Sequence, residues 1–183
     1  RLARERCSAT YTVLIHDEVQ CGVGRTGTFL AAQASGVTPD VVTLAKPLGA
    51  GLPSGAIGVA APFADALQPG RHGSTFGGGP MALRAASVVL AQLQDHGLLA
   101  QLEARGQQLE AGLWRIASKH RPLVAGVRGR GQLQAVVMRE AADAQRLVSA
   151  LHDARVLTCV AGGNAVRFLP PYVIQPETGE LAC

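Results

Sequence analysis

Two lysines stand among 15 arginines in this sequence, and one of them, Lys46, closes the apolar run Val41-Val42-Thr43-Leu44-Ala45. An arginine stays protonated, whereas a lysine can lose its proton when desolvated and then attack a carbonyl. On its own the position also fits a solvated lysine at a strand end. A second apolar run, Tyr11 to Ile15, leads into His16-Asp17-Glu18-Val19-Gln20. A buried strand ending in acids places carboxylates at the carboxyl edge of a sheet, where open α/β folds bind their ligands. If the two strands are parallel, Asp17 and Lys46 converge on one side of that sheet. A third stretch, Gly73-Ser74-Thr75-Phe76-Gly77-Gly78-Gly79, precedes Pro80, a residue suited to the first position of a helix. The hydroxyls of Ser74 and Thr75 and the free amides before that helix suit a phosphate, although glycine-rich loops are common without one.

These positions need elements to hold them. The run Tyr11 to Ile15 reads as a strand buried on both faces. Phe29 to Ser35 reads as a short helix stopped by Gly36 and Pro39, and Val41 to Leu44 as a second short buried strand. Ala56 to Ala61 makes a third strand and Pro62 to Leu67 a short helix. Pro80 to about Leu93 is helical, and Leu98, Leu102, Leu109, Leu113 and Ile116 give His96 to Lys119 an apolar stripe that core packing explains. Beyond Pro122, strands are expected at Leu123–Arg128, Leu133–Met138, Val156–Val160 and Ala165–Leu169, with a helix over Ala142–Ala154. Pro176 to Glu180 looks like the start of a further helix, and the abrupt ends of the sequence suggest a fragment. The domain reading is therefore 1–95 as part of a larger domain, 96–121 as a linking helix and 122–183 as a small truncated domain.

Composition narrows the function. With 48% hydrophobic and 16% charged residues the sequence reads as a soluble globular protein. No apolar run is long enough to span a bilayer and the start lacks a signal-peptide core, so a cytoplasmic protein without membrane attachment is expected. The net charge of +4 is carried by scattered arginines, which argues against nucleic acid. Cys7, Cys21, Cys159 and Cys183 lack zinc-site spacing, so free thiols and no metal are expected.

Two chemistries fit an acidic strand end. A P-loop nucleotide hydrolase also has one, but it needs a glycine-rich loop ending in Lys-Ser or Lys-Thr, and neither Gly22–Gly27 nor Gly73–Gly79 supplies that lysine. The other chemistry uses every marked position: an imine-forming lysine, an acid for a pyridine nitrogen, a phosphate cup and an arginine for a carboxylate are the parts that pyridoxal phosphate requires.

The order of motifs resembles the class III, ornithine-type pyridoxal-phosphate aminotransferases, and most closely the acetylornithine and ornithine enzymes. The resemblance rests on Asp17-Glu18-Val19-Gln20 with Gly22 and Gly24-Arg25-Thr26-Gly27, on Thr38-Pro39-Asp40, and on Leu44-Ala45-Lys46-Pro47-Leu48-Gly49. It continues through Gly51-Leu52-Pro53, Gly55-Ala56, His72-Gly73-Ser74-Thr75-Phe76-Gly77-Gly78, Val127-Arg128-Gly129 with Gly131, and Val166-Arg167-Phe168 with Pro170. It implies an α/β fold: part of a fold-type I large domain, with a mostly parallel sheet and helices, plus a small α+β carboxyl-terminal domain.

By the same resemblance, Lys46 holds pyridoxal 5'-phosphate as an internal aldimine and moves protons during catalysis. Asp17 pairs with the pyridinium nitrogen, Val19 packs on the ring and Gln20 bonds its phenolic oxygen. Ser74 and Thr75 belong to the phosphate site, with Thr75 reaching the cofactor of a neighbouring subunit in a homodimer. Arg167 holds a substrate carboxylate. The implied reaction moves an amino group from an acetylornithine- or ornithine-like donor to 2-oxoglutarate, with a non-catalytic fragment of such an enzyme as the alternative. Three residues depart from the family pattern: Gln132 and Gln134 at strand positions that are usually apolar, and Ala50 in place of a common glycine.

Overall fold

The first strand begins later in the chain than its sequence suggests. Helix α1 (Leu2–Ala9) ends in a turn in which Tyr11 takes a left-handed φ of 52°, and the strand β1 covers only Ile15–Asp17. Tyr11 is 99% exposed and Ile15 58%, so the expected strand buried on both faces over Tyr11 to Ile15 is not formed. The reason lies in the pairing. A ladder exists only where the second strand, β2 (Val41–Leu44), offers partners, and β1 is at the edge of its sheet. Leu14 is instead tied down by Asp40, whose carboxylate accepts from the Leu14 amide at 2.7 Å and from Arg4 at 2.8 Å.

The computed structural model describes residues 1–95, 97–175 and 177, which divide between two units, Arg1–Leu99 and Ala100–Cys183. In the first unit β1 and β2 are parallel, as the convergence of Asp17 and Lys46 requires, and β3 (Ala56–Val59) runs antiparallel to β2. The β2 strand is half-buried instead of buried. The two short helices expected around it are 3-10 turns, at Ala31–Ser35 and Ala61–Leu67. The first is closed by Gly36 in the left-handed conformation. Helix α2 (Pro80–Asp95) starts at the proline, as expected.

In the second unit the leucine stripe forms a 22-residue helix, α3 (Leu98–Lys119), whose Leu102, Leu109, Leu113 and Ala117 are buried. A hairpin of β4 (Val124–Arg130) and β5 (Leu133–Met138) follows, then α4 (Ala141–Asp153), β6 (Cys159–Ala161) and β7 (Ala165–Phe168). The sheet is antiparallel throughout, in the order β4-β5-β7-β6. Both helices contribute to one core on a single face of it, with Leu109, Leu113 and Ala117 of α3 and Ala144 and Val148 of α4 against Val136, Met138, Val166 and Phe168. Mixed strands and helices in both units match the α/β and α+β reading. Of the helix start expected at Pro176 to Glu180, all but Glu177 lies outside the described residues.

The hairpin turn contains the least satisfied polar groups of this core. Gln132 sits in the two-residue turn between β4 and β5, not in a strand, and is fully buried, as is Gln134 to within 1%. Both amide atoms of Gln132 and the Oε1 of Gln134 have no hydrogen-bond partner; Gln134 Nε2 donates to the Gly131 carbonyl at 3.1 Å. Gly106 of α3 allows the turn to approach, since a Cβ there would fall 2.5 Å from Gly131 Cα. Gly106→Ala should therefore destabilise: the gain in helix propensity is about 1 kcal/mol, and a backbone clash against Gly131 outweighs it. An orphaned buried amide costs roughly 1–3 kcal/mol, so Gln132→Leu, which keeps the volume and removes the unpaired groups, should stabilise. Thermal unfolding is expected to shift upward by roughly 2–8 °C; an unchanged or lower midpoint would mean that the amide is satisfied in solution.

Candidate active site

The register of β1 against β2 builds the site. Asp17 lies opposite Thr43, three residues before Lys46. The Asp17 Oδ1 accepts from the Val19 amide at 3.1 Å and from the Thr43 hydroxyl at 3.0 Å. Those two donors, in that order, hold the Asp17 carboxyl below the usual carboxylate range, and the nearby Lys46 ammonium adds a smaller push in the same direction. Asp17 is thus an ionised, outward-facing acceptor at the carboxyl end of a parallel strand pair.

Lys46 reaches back toward the same strand end: its Nζ donates to Gln20 Oε1 at 3.2 Å. The lysine is exposed, so the described residues do not supply the desolvation that its proposed chemistry calls for. Its backbone is unusual. Lys46 has φ 41° and opens a 3-10 turn, Lys46–Gly49, which ends at Ala50 with φ 50° and ψ 35°. Left-handed backbone at two non-glycine residues within five positions stores strain of the kind found at functional sites. Glycine takes the Ala50 conformation freely, and a Cβ there costs on the order of 1–2 kcal/mol.

Glu18, one residue from Asp17, plays a different part. It is 3% exposed, and its two carboxylate oxygens accept from the amides of Ala31 and Ala32 at 2.6 and 2.8 Å. Those are free amides at the start of the first 3-10 turn, and a carboxylate there complements them. Glu18 therefore ties the intervening glycine loop, in which Val23 and Thr26 are buried, to the strand end. Val19 and Gln20 are half-buried beside it.

Ser74 and Thr75 are exposed and precede α2 as expected; Ser74 Oγ accepts from the Gly77 amide at 2.9 Å. No hydrogen bond joins either of them to Asp17, Gln20 or Lys46 among the described residues. Arg167 is in the second unit, on β7, where its Nη2 donates to Cys159 Sγ at 3.2 Å. The structure thus brings together Asp17, Gln20 and Lys46 from the sequence-derived set. It adds Thr43 and Glu18 in the first unit and, separately, Cys159 beside Arg167 in the second, to none of which the sequence assigned a role. Thr43 had a signal, as the one hydroxyl in an apolar strand with the parity that faces Asp17 once pairing is parallel. Glu18 stood in the acidic strand end but its partners did not, and Cys159 had no signal, because those partners are distant in sequence.

The class-III aminotransferase family model matches residues 1–183. The chain belongs to the class III aminotransferases. Among family members, acetylornithine aminotransferase 1 of Bradyrhizobium diazoefficiens is 42% identical over 171 residues, which is 93% of this chain and 42% of that protein. The ornithine aminotransferase of Toxoplasma gondii, crystallised with oxidised glutathione and holding pyridoxal phosphate at partial occupancy in its active site, superposes with a TM-score of 0.89 at 38% identity. It covers 98% of this chain and 43% of that one. The acetylornithine aminotransferase of Elizabethkingia anophelis gives a TM-score of 0.88 at 32% identity, over 98% of this chain and 46% of that one. The chain therefore spans less than half the length of these relatives. A family match over the full sequence does not favour the nucleotide-hydrolase reading. Among the described residues, no helix is long and apolar enough to cross a membrane, and no group of three or more His, Cys, Asp or Glu is placed to hold a metal ion.

The hydrogen bonds to Asp17 generate a test within this class III strand pair. A carboxylate whose folded pKa is lowered contributes stability above its unfolded pKa, and that contribution disappears as pH falls through the folded value. Asp17 should titrate below the ordinary aspartate range by NMR. In Thr43→Val its pKa should move up part of the way, because the Val19 amide, the larger cause, remains. An unmoved titration would show that the Thr43 hydroxyl is not bonded to Asp17 in solution.

Proposed function

We propose that this chain is the lysine-bearing part of a pyridoxal-phosphate-dependent aminotransferase that takes an amino group from the terminal amine of an acetylornithine- or ornithine-like donor and passes it to 2-oxoglutarate. The observation that carries this reading is the convergence of Asp17, Gln20 and Lys46 at the ends of two parallel strands. Family membership and the activities by which the relatives are known support it.

The residues present fit the cofactor. Asp17 is an acceptor already ionised and oriented by two donors, suited to a protonated ring nitrogen. Lys46 Nζ is the amine that would hold the cofactor aldehyde, and Gln20 Oε1 accepts from it at 3.2 Å. Val19 offers an apolar side chain for the ring face, and Ser74 and Thr75 offer hydroxyls to its phosphate. When bound, the cofactor supplies an electron sink for the carbanion that develops on the substrate. Lys46 Nζ would be the base of the site, taking the proton from the carbon that bears the donor amine. Asp17 would face the ring nitrogen as a carboxylate, the form that the Val19 and Thr43 donors favour. Arg167 holds a carboxylate of donor or acceptor through its planar fork, a bidentate grip that lysine does not reproduce. A homodimer with shared sites, in which Thr75 serves the neighbouring subunit's cofactor, completes the proposal.

The test is an absorbance titration of the purified chain with pyridoxal phosphate, then borohydride reduction and peptide mapping. Label is expected on Lys46 alone, with Lys119 unlabelled and Lys46→Ala showing no specific band. Asp17→Ala should lower the rate more than it weakens cofactor binding. Label shared equally between Lys46 and Lys119 would overturn the assignment of Lys46.

A further inference from the structure

The sheet of the second unit packs one face on its helices and carries two arginines among apolar residues on the other. Residues paired directly across antiparallel strands share a face, and neighbours along a strand alternate. The row Val127, Val136, Val166 and Val160 packs with the core on the helix side. The adjacent row, on the other face, is Arg128, Ala135, Arg167 and Cys159, each paired with the next across β4, β5, β7 and β6. Two arginines flank one small alanine, and no ion pair joins a carboxylate to either of them among the described residues. The guanidinium of Arg167 donates through Nη2 to Sγ of Cys159 at 3.2 Å, while its Nε is buried without a partner. Cys159 itself is exposed and free of any disulfide.

A guanidinium held against a thiol couples two properties. The contact restricts a long side chain that otherwise carries much rotamer freedom, and the charge of Arg167, with that of Arg128 on the same face, draws anions to the sulfur beside it. We propose that Cys159 and Arg167 form a carboxylate-directed thiol site, in which Cys159 is a positioning residue for the guanidinium and an electrophile bearing a carboxylate is held by Arg167 and delivered to Sγ. With a 2-halocarboxylate the step is a displacement: the sulfur forms a bond to the carbon, the carbon–halogen bond breaks, halide leaves, and the thiol proton passes to water. The S-carboxymethyl product keeps its carboxylate within reach of Arg167 and so fills that anion grip. This last consequence rests on Arg167 being the anchor of a substrate carboxylate; the delivery step does not.

The experiment treats the intact chain with iodoacetate or iodoacetamide, which share a leaving group and differ in charge, and reads alkylation at each cysteine by peptide mass spectrometry. Cys7 and Cys21 are internal references, the latter with its thiol pKa pushed up by burial and by Glu18. The iodoacetate-to-iodoacetamide rate ratio at Cys159 is expected to exceed that at the references by about tenfold, within the range by which local fields concentrate ions. It should fall to the reference value in Arg167→Gln, and raised salt should lower it at Cys159 in the unmodified chain, a check that does not depend on the variant folding. A ratio at Cys159 equal to the references, or indifferent to salt and to Arg167→Gln, would overturn the proposal. Glutarate should slow the iodoacetate reaction at Cys159. If the ratio is high and glutarate has no effect, the thiol site stands and the substrate-anchor role of Arg167 falls.

Discussion

The pairing of two short parallel strands is the constraint on which the candidate site depends. Three residues of β1 face three of β2, and that register alone sets Thr43 beside Asp17 and brings the chain round so that Lys46 meets Gln20. A slip of one residue would turn Thr43 to the opposite face and leave Asp17 with only the Val19 amide. The pairing itself is slight, a parallel ladder at a sheet edge, so other groups must hold its ends. Asp40 does so at the entry of β2, binding the Leu14 amide and Arg4, and Glu18 does so at the exit of β1.

Around this register the backbone is under tension. Lys46 and Ala50 both adopt the left-handed conformation at opposite ends of one 3-10 turn. The turn allows the lysine to leave the strand and still return its amine to the neighbouring strand end. The buried Leu48 and Gly49 keep the turn anchored to the first unit.

The second unit follows a simpler logic. One sheet face is apolar and covered by α3 and α4, and alternation obliges the other face to present the intervening residues. Arg167 and Cys159 belong together only because β7 pairs with β6 in that register. The same strictness makes the hairpin turn costly, since Gln132 is drawn into the close approach between Gly131 and Gly106 with its amide unpaired.

The leucine stripe of α3, the proline that begins α2, the alternation of the last four strands and the chemistry of a lone lysine and an acidic strand end were legible in the sequence, because each depends on residues close together in the chain. Strand β1 was not, for an apolar run is buried only where other elements cover it, and Tyr11 to Val13 stay exposed. The short helices are 3-10 turns, a difference that the local sequence did not signal. Glu18 meets the amides of a 3-10 turn 13 and 14 residues on through closure of a loop, while Thr43 against Asp17 and Cys159 on Arg167 are contacts of register. Register is a property of paired strands, so only the tertiary structure could decide it.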